Sequence, residues 1–173
     1  LHLPDGEDDE FKLLCTTIMP VREFTFPHDI GEELVAKLGP YHPRGGWESA
    51  GVTGPETYLE QLDMYHDWLA GACQHLLEKE EWDLLYTQTH CHDYVHHLFM
   101  RCYDPITAGK GGWSQEQCES YMDQAYESAD KMLRRILECA DDETLIAVVS
   151  DHGAKTWLAE VNIRKILVDK GLM

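Results

Sequence analysis

The apolar run Leu145 to Val149 is followed at once by Ser150, Asp151, His152 and Gly153. Five apolar residues in a row ahead of a polar cluster read as a strand buried on both faces, which ends by delivering an acid and an imidazole. A second stretch has the same shape. Trp82 to Thr89 is strand-like and runs into His90, Cys91, His92 and Asp93, with His96 and His97 a helical turn further on. In an open α/β sheet, ligands bind outside the carboxyl ends of the strands, so the chemistry is expected where these two runs stop.

Between and around the runs, helical spacing dominates. Asp29 reads as the cap of a short helix that runs through Leu38 and is stopped by Gly39-Pro40, and the stripe Leu59, Leu62, Trp68 or Leu69, Cys73, Leu76 and Leu77 as a long helix over 57–78. A short helix follows the His/Asp cluster as far as Met100. Ser114 with Gln117 forms a capping box for a further long helix from Gln115 to Ala140, and Asn162 to Asp169 reads as a final helical stretch. Phe11 to Met19 is rich in β-formers and reads as a strand closed by Pro20, and the Gly- and Pro-rich residues 39–55 as a loop able to shape a pocket. Strands alternating with helices predict an α/β fold with a mostly parallel sheet flanked by helices. Residues 1–55 would carry a strand, a loop and part of a cap, and 56–173 the core segment with both polar clusters.

Composition excludes several function classes. The formal charge is −18, from 32 acids against 14 bases, and no Lys/Arg-rich run is present to grip phosphate backbones, so nucleic-acid binding by a basic face is not expected. The six cysteines lie far apart with no C-x-x-C pair, which argues against a zinc ribbon or a disulfide scaffold and for a reducing, cytoplasmic compartment. No window reaches the length of an apolar membrane span, and the opening LHLPDGEDDE lacks the basic and apolar regions of a signal peptide. An acidic opening without Met suggests a chain cut from something longer.

Carboxylate and imidazole recur at ligand spacing. Asp93 and His97 are four apart, on one face of a helix if Asp93 lies near its start. Asp151 and His152 are adjacent and would meet one ion only if a strand broke there, which Gly153 permits. His90 and His92 compete as ligands on spacing alone. Mixed oxygen and imidazole ligation suits Zn²⁺, Mn²⁺ or Fe over Ca²⁺ or Mg²⁺. The plainer reading of each pair is an acid beside a surface imidazole.

Val148-Val149-Ser150-Asp151-His152-Gly153 resembles the V-x-S-D-H-G motif of the alkaline phosphatase superfamily, in its type I phosphodiesterase/nucleotide pyrophosphatase and phosphohydrolase/phosphomutase branch. Asp93 to Phe99, followed by Tyr103-Asp104-Pro105, is similar to that branch's D-x-x-x-H segment, and the likeness extends from Phe24–Pro27 to Lys170-Gly171-Leu172. The resemblance implies an alkaline-phosphatase-like sheet, incomplete at both ends. It also implies two divalent metal ions, zinc first with manganese or iron as alternatives, one held by Asp93 and His97 and the other by Asp151 and His152. The implied activity is metal-dependent hydrolysis of a small phosphodiester or nucleotide. The family's N-terminal Asp ligand, its Thr or Ser nucleophile and its C-terminal His have no matching segment here, so no nucleophile is named and the chain alone is expected to be inactive. His90, His92 and His96 have no counterpart in the motif. A phosphomutase using the same ions, and a non-catalytic metal-binding module built on the His/Asp run at 90–97, are the competing readings.

Overall fold

The computed structural model describes residues 20–21, 24–41, 53–104, 106–107, 112–156 and 161–173. Five helices make up the regular structure of that part: α1 (His28–Leu38), α2 (Pro55–Lys79), α3 (Cys91–Tyr103), α4 (Gln115–Leu137) and α5 (Ile163–Asp169). The expected strand at Phe11 to Met19 and most of the Gly/Pro-rich stretch lie outside the described residues.

Each long helix follows from a stripe that water cannot accommodate. On α2 the buried positions include Tyr58, Leu59, Leu62, Tyr65, His66, Ala72 and Cys73. On α4 they are Cys118, Tyr121, Met122, Ala125, Ser128, Ala129 and Met132. On α3 the buried residues Cys91, Val95, Phe99 and Cys102 recur every three or four positions. The three stripes close on one another, and Phe99 fills the middle with its ring centroid 5.0 Å from that of Tyr121 and 5.4 Å from that of Trp113. A smaller cluster of Leu34, Trp68 and Ala72 joins α1 to α2, where the Trp68 indole N–H donates to the Gly39 carbonyl at 3.2 Å. Gly71 makes that join possible, since a Cβ there would stand 2.8 Å from Leu38 Cδ2.

The termini agree with the local chemistry. Ser114 accepts from the Gln117 N–H and Gln117 returns the bond to Ser114, which completes the expected box, while Asn162 caps α5 by accepting from the Lys165 N–H. Asp29 lies within the first turn of α1 rather than at its cap.

The expected α/β sheet is overturned: the described residues contain no strand. Trp82 to Thr89 and Leu145 to Val149 run without regular structure, and apolar side chains in both face solvent, with Leu84 and Val149 each 82% exposed and Leu145 95% exposed. The physical reason lies in where each element finds its hydrogen bonds. A helix closes its N–H groups onto its own carbonyls, so α2, α3 and α4 form and then find each other. A strand needs a neighbour for its backbone groups and a second layer for its face. Neither run has such a neighbour among the described residues. The helices therefore pack on one another, α2 and α3 both against α4, and not on a sheet.

Candidate metal centre

Asp93 stands in the first turn of α3, where the helix dipole favours a carboxylate, and His97 follows one turn later on the same face. Their Oδ1 and Nε2 atoms are 3.4 Å apart, with both side chains a little over one-third exposed. Two donors held about 2.0–2.1 Å from one tetrahedral ion lie about 3.3 Å from each other. The pair therefore has the bite of two ligands to one ion.

Asp151 and His152 reach a similar arrangement by a different route. With no strand to send adjacent side chains to opposite faces, the Asp151 carboxylate turns back on its neighbour. Its Oδ1 accepts from the His152 backbone N–H at 3.0 Å, and its Oδ2 lies 3.7 Å from His152 Nε2. Ser150 Oγ donates to the His152 carbonyl at 2.6 Å and tightens the same turn. His152 Nδ1 lies 3.0 Å from the Gly153 carbonyl, so it carries the proton and leaves Nε2 as the free lone pair. That is the arrangement in which an imidazole ligates, its other nitrogen held by an oxygen acceptor.

The charge of α3 reaches His152. The Gly153 carbonyl and the Asp151 carboxylate raise the pKa of His152 above its ordinary value, and the charge of Asp93 on α3 adds to the rise. The segment is also tied further along, where Thr156 Oγ1 donates to Asp104 Oδ2 at 2.7 Å. This bond, ahead of the Ile106 N–H, lowers the pKa of Asp104.

The donor types of both pairs, one carboxylate and one imidazole each, are those that suit ions of the zinc and manganese kind. Among the described residues no group of three or more His, Cys, Asp or Glu side chains gathers around one point. The remaining histidines of the cluster turn elsewhere. His92 packs its ring 4.3 Å from that of Tyr126 on α4, and His96 sits between the His92 carbonyl at 2.6 Å and the Tyr126 hydroxyl at 3.3 Å. His90 meets Gln88 at 3.0 Å. None of the three makes a contact of ligand length with either pair in these bonds.

The residues that sequence reasoning passed over are His66 and Ser128, one on each of the two long helices. His66 Nδ1 is 2.9 Å from Ser128 Oγ, and its Nε2 is 3.1 Å from Thr89 Oγ1. The signal was available: His66 follows Leu62 by four residues and therefore lies on the apolar stripe of α2.

Residues 23–173 match the family model for type I phosphodiesterase / nucleotide pyrophosphatase. The chain belongs to that family. No curated protein and no solved structure matches it. As a type I phosphodiesterase / nucleotide pyrophosphatase chain, it comes from a family of phosphoester hydrolases, and both Asp-His pairs lie within the matched span. Its longest helices are too polar to cross a membrane: no helix among the described residues is long and apolar enough to do so.

Proposed function

We propose that this chain contributes the ligands for two divalent metal ions to the hydrolysis of a small phosphodiester or nucleotide, Asp93 and His97 to one ion and Asp151 and His152 to the other. The observation that carries the reading is the pair of carboxylate-imidazole bites, 3.4 and 3.7 Å across, within the family-matched span. Bound ions would supply charge neutralisation and polarisation of the phosphoryl group, and would lower the pKa of an attacking hydroxyl.

The chain's own residues do the holding. The Gly153 carbonyl fixes the tautomer of His152, and the first turn of α3 presents Asp93 with His97 one turn behind it. The Gly153 carbonyl, and then Asp151 and Asp93, raise the pKa of His152, and because only its neutral ring can act as a donor, binding weakens as pH falls. The overall charge of −18 repels a phosphoester, and cations at these pairs reverse the sign locally. No residue of the chain is assigned as nucleophile.

The test is hydrolysis of a nitrophenyl phosphodiester by the intact protein with added Zn²⁺ or Mn²⁺. His97→Ala and His152→Ala should each lower metal-dependent turnover at least tenfold. Full activity in both variants would remove the four residues from the site.

A further inference from the structure

We infer that His66 is a positioning residue for the candidate metal centre, clamped between Ser128 and Thr89 so as to fix the first turn of α3, from which Asp93 and His97 project. The inference rests on the ligand reading of Asp93 and His97 given above.

Three elements meet on one imidazole. His66 comes from α2 and is 1% exposed, Ser128 comes from α4 and is also buried, and Thr89 ends the segment that enters α3. Both ring nitrogens are used, at 2.9 Å on Ser128 Oγ and 3.1 Å on Thr89 Oγ1. A neutral imidazole has one donor and one acceptor, and each hydroxyl can serve either. The match holds at neutral pH because burial, and then the neighbouring His92, lower the pKa of His66 to about 4 against the opposing pull of Asp63.

The clamp passes on to the helix through Thr89. Its Oγ1 accepts from the backbone N–H of Cys91 at 3.3 Å and satisfies one of the open donors of the α3 start. The residue at the cap position, His90, makes no side-chain cap bond, so this role falls to Thr89. Cys91 itself is buried, and Asp93 follows two residues later. If the first turn frayed, Asp93 would leave the helix while His97 stayed on it, and the 3.4 Å pair would open. A histidine that only filled space could be replaced by an apolar ring. A positioning histidine requires its hydrogen bonds.

The experiment uses the full chain and two readouts, hydrogen exchange at the Cys91 and Tyr94 amides without metal, and affinity for Mn²⁺ alone by titration. Thr89→Val and His66→Phe should speed exchange at both amides at least tenfold while the Val95 to Phe99 amides stay protected, and should weaken Mn²⁺ binding three- to tenfold. Thr89→Ser should restore both. Asp93→Ala should lose Mn²⁺ affinity with exchange unchanged. Should His66→Phe fail to fold, Thr89→Val carries the comparison. Thr89→Val with wild-type exchange at Cys91 and Tyr94 would overturn the clamp. Equal Mn²⁺ binding by wild type and Asp93→Ala would instead overturn the ligand reading, and the exchange data would then decide the clamp on their own.

Discussion

The phenol of Tyr121 on α4 donates to Glu56 in the first turn of α2 at 2.6 Å, joining the start of one long helix to the other across the edge of the core. The carboxylate acceptor raises the pKa of the phenol to about 12, ahead of the effect of burial. Replacing Tyr121 by Phe keeps the ring against Phe99 and removes only the bond. A hydrogen bond to a charged group contributes about 1.5–3 kcal/mol when well shielded, and with this one at the edge of the core the expected loss in urea denaturation is about 1 kcal/mol. A variant as stable as wild type would show that water replaces the phenol without cost.

The core makes a larger claim. Phe99 is fully buried between Tyr121 and Trp113, and Phe99→Ala should cost about 3–5 kcal/mol, a large share of the stability of a domain this size. Tyr126→Ala, on the same helix as Tyr121 but half exposed, should cost much less. Equal losses by thermal denaturation would mean that α4 presents a different face.

Exposure of the two apolar runs gives a test of the fold itself. Leu145 to Val149 belongs to no helix or strand, whereas Val95 and Phe99 lie inside α3. Amides of residues 145–149 should exchange with solvent orders of magnitude faster than those of Val95 and Phe99. Strong protection at 145–149 would contradict the helical description.

How far the sequence could be read depended on whether an element completes itself. The bounds of α1, α2, α4 and α5 came within a few residues of their expected places because 3.6-residue periodicity, the Ser114/Gln117 box and Asn162 all act locally. The runs at 82–89 and 145–149 misled because apolar residues state an appetite for burial without naming the partner that would meet it. The Asp-His pairs were legible from spacing, and their observed bites come from a helical turn at Asp93 and a carboxylate turn at Asp151. His66 escaped notice since an imidazole inside an apolar stripe looks like an interruption until its two hydroxyl partners, 23 and 62 residues away, are seen.

Acid should weaken the fold through His66. Its folded pKa of about 4 lies below the ordinary 6.5, so the unfolded chain takes up the proton first. The stability from the neutral ring is full above pH 6.5 and is lost as pH falls toward 4. The gap corresponds to about 3 kcal/mol, most of it lost by pH 4.5. His92, lowered by burial and by His96, acts with the same sign. His152 is raised and acts oppositely, adding stability below pH 6.5 that fades as pH rises through its folded value. Urea midpoints at pH 7 and pH 4.5 should therefore diverge more in wild type than in His66→Gln. Parallel losses would place the acid sensitivity elsewhere.

Thermal melting with and without Zn²⁺ or Mn²⁺ reads directly whether Asp93, His97, Asp151 and His152 hold divalent metal. At one hundred times the dissociation constant, a bound ion adds about 2.7 kcal/mol, which for a chain of this length raises Tm by about 5–10 °C. Wild type should show such a rise, a chelator should reverse it, and both His97→Ala and His152→Ala should reduce it. No rise at millimolar metal, or an equal rise in a protein carrying both substitutions, would contradict the assignment of these four residues as ligands.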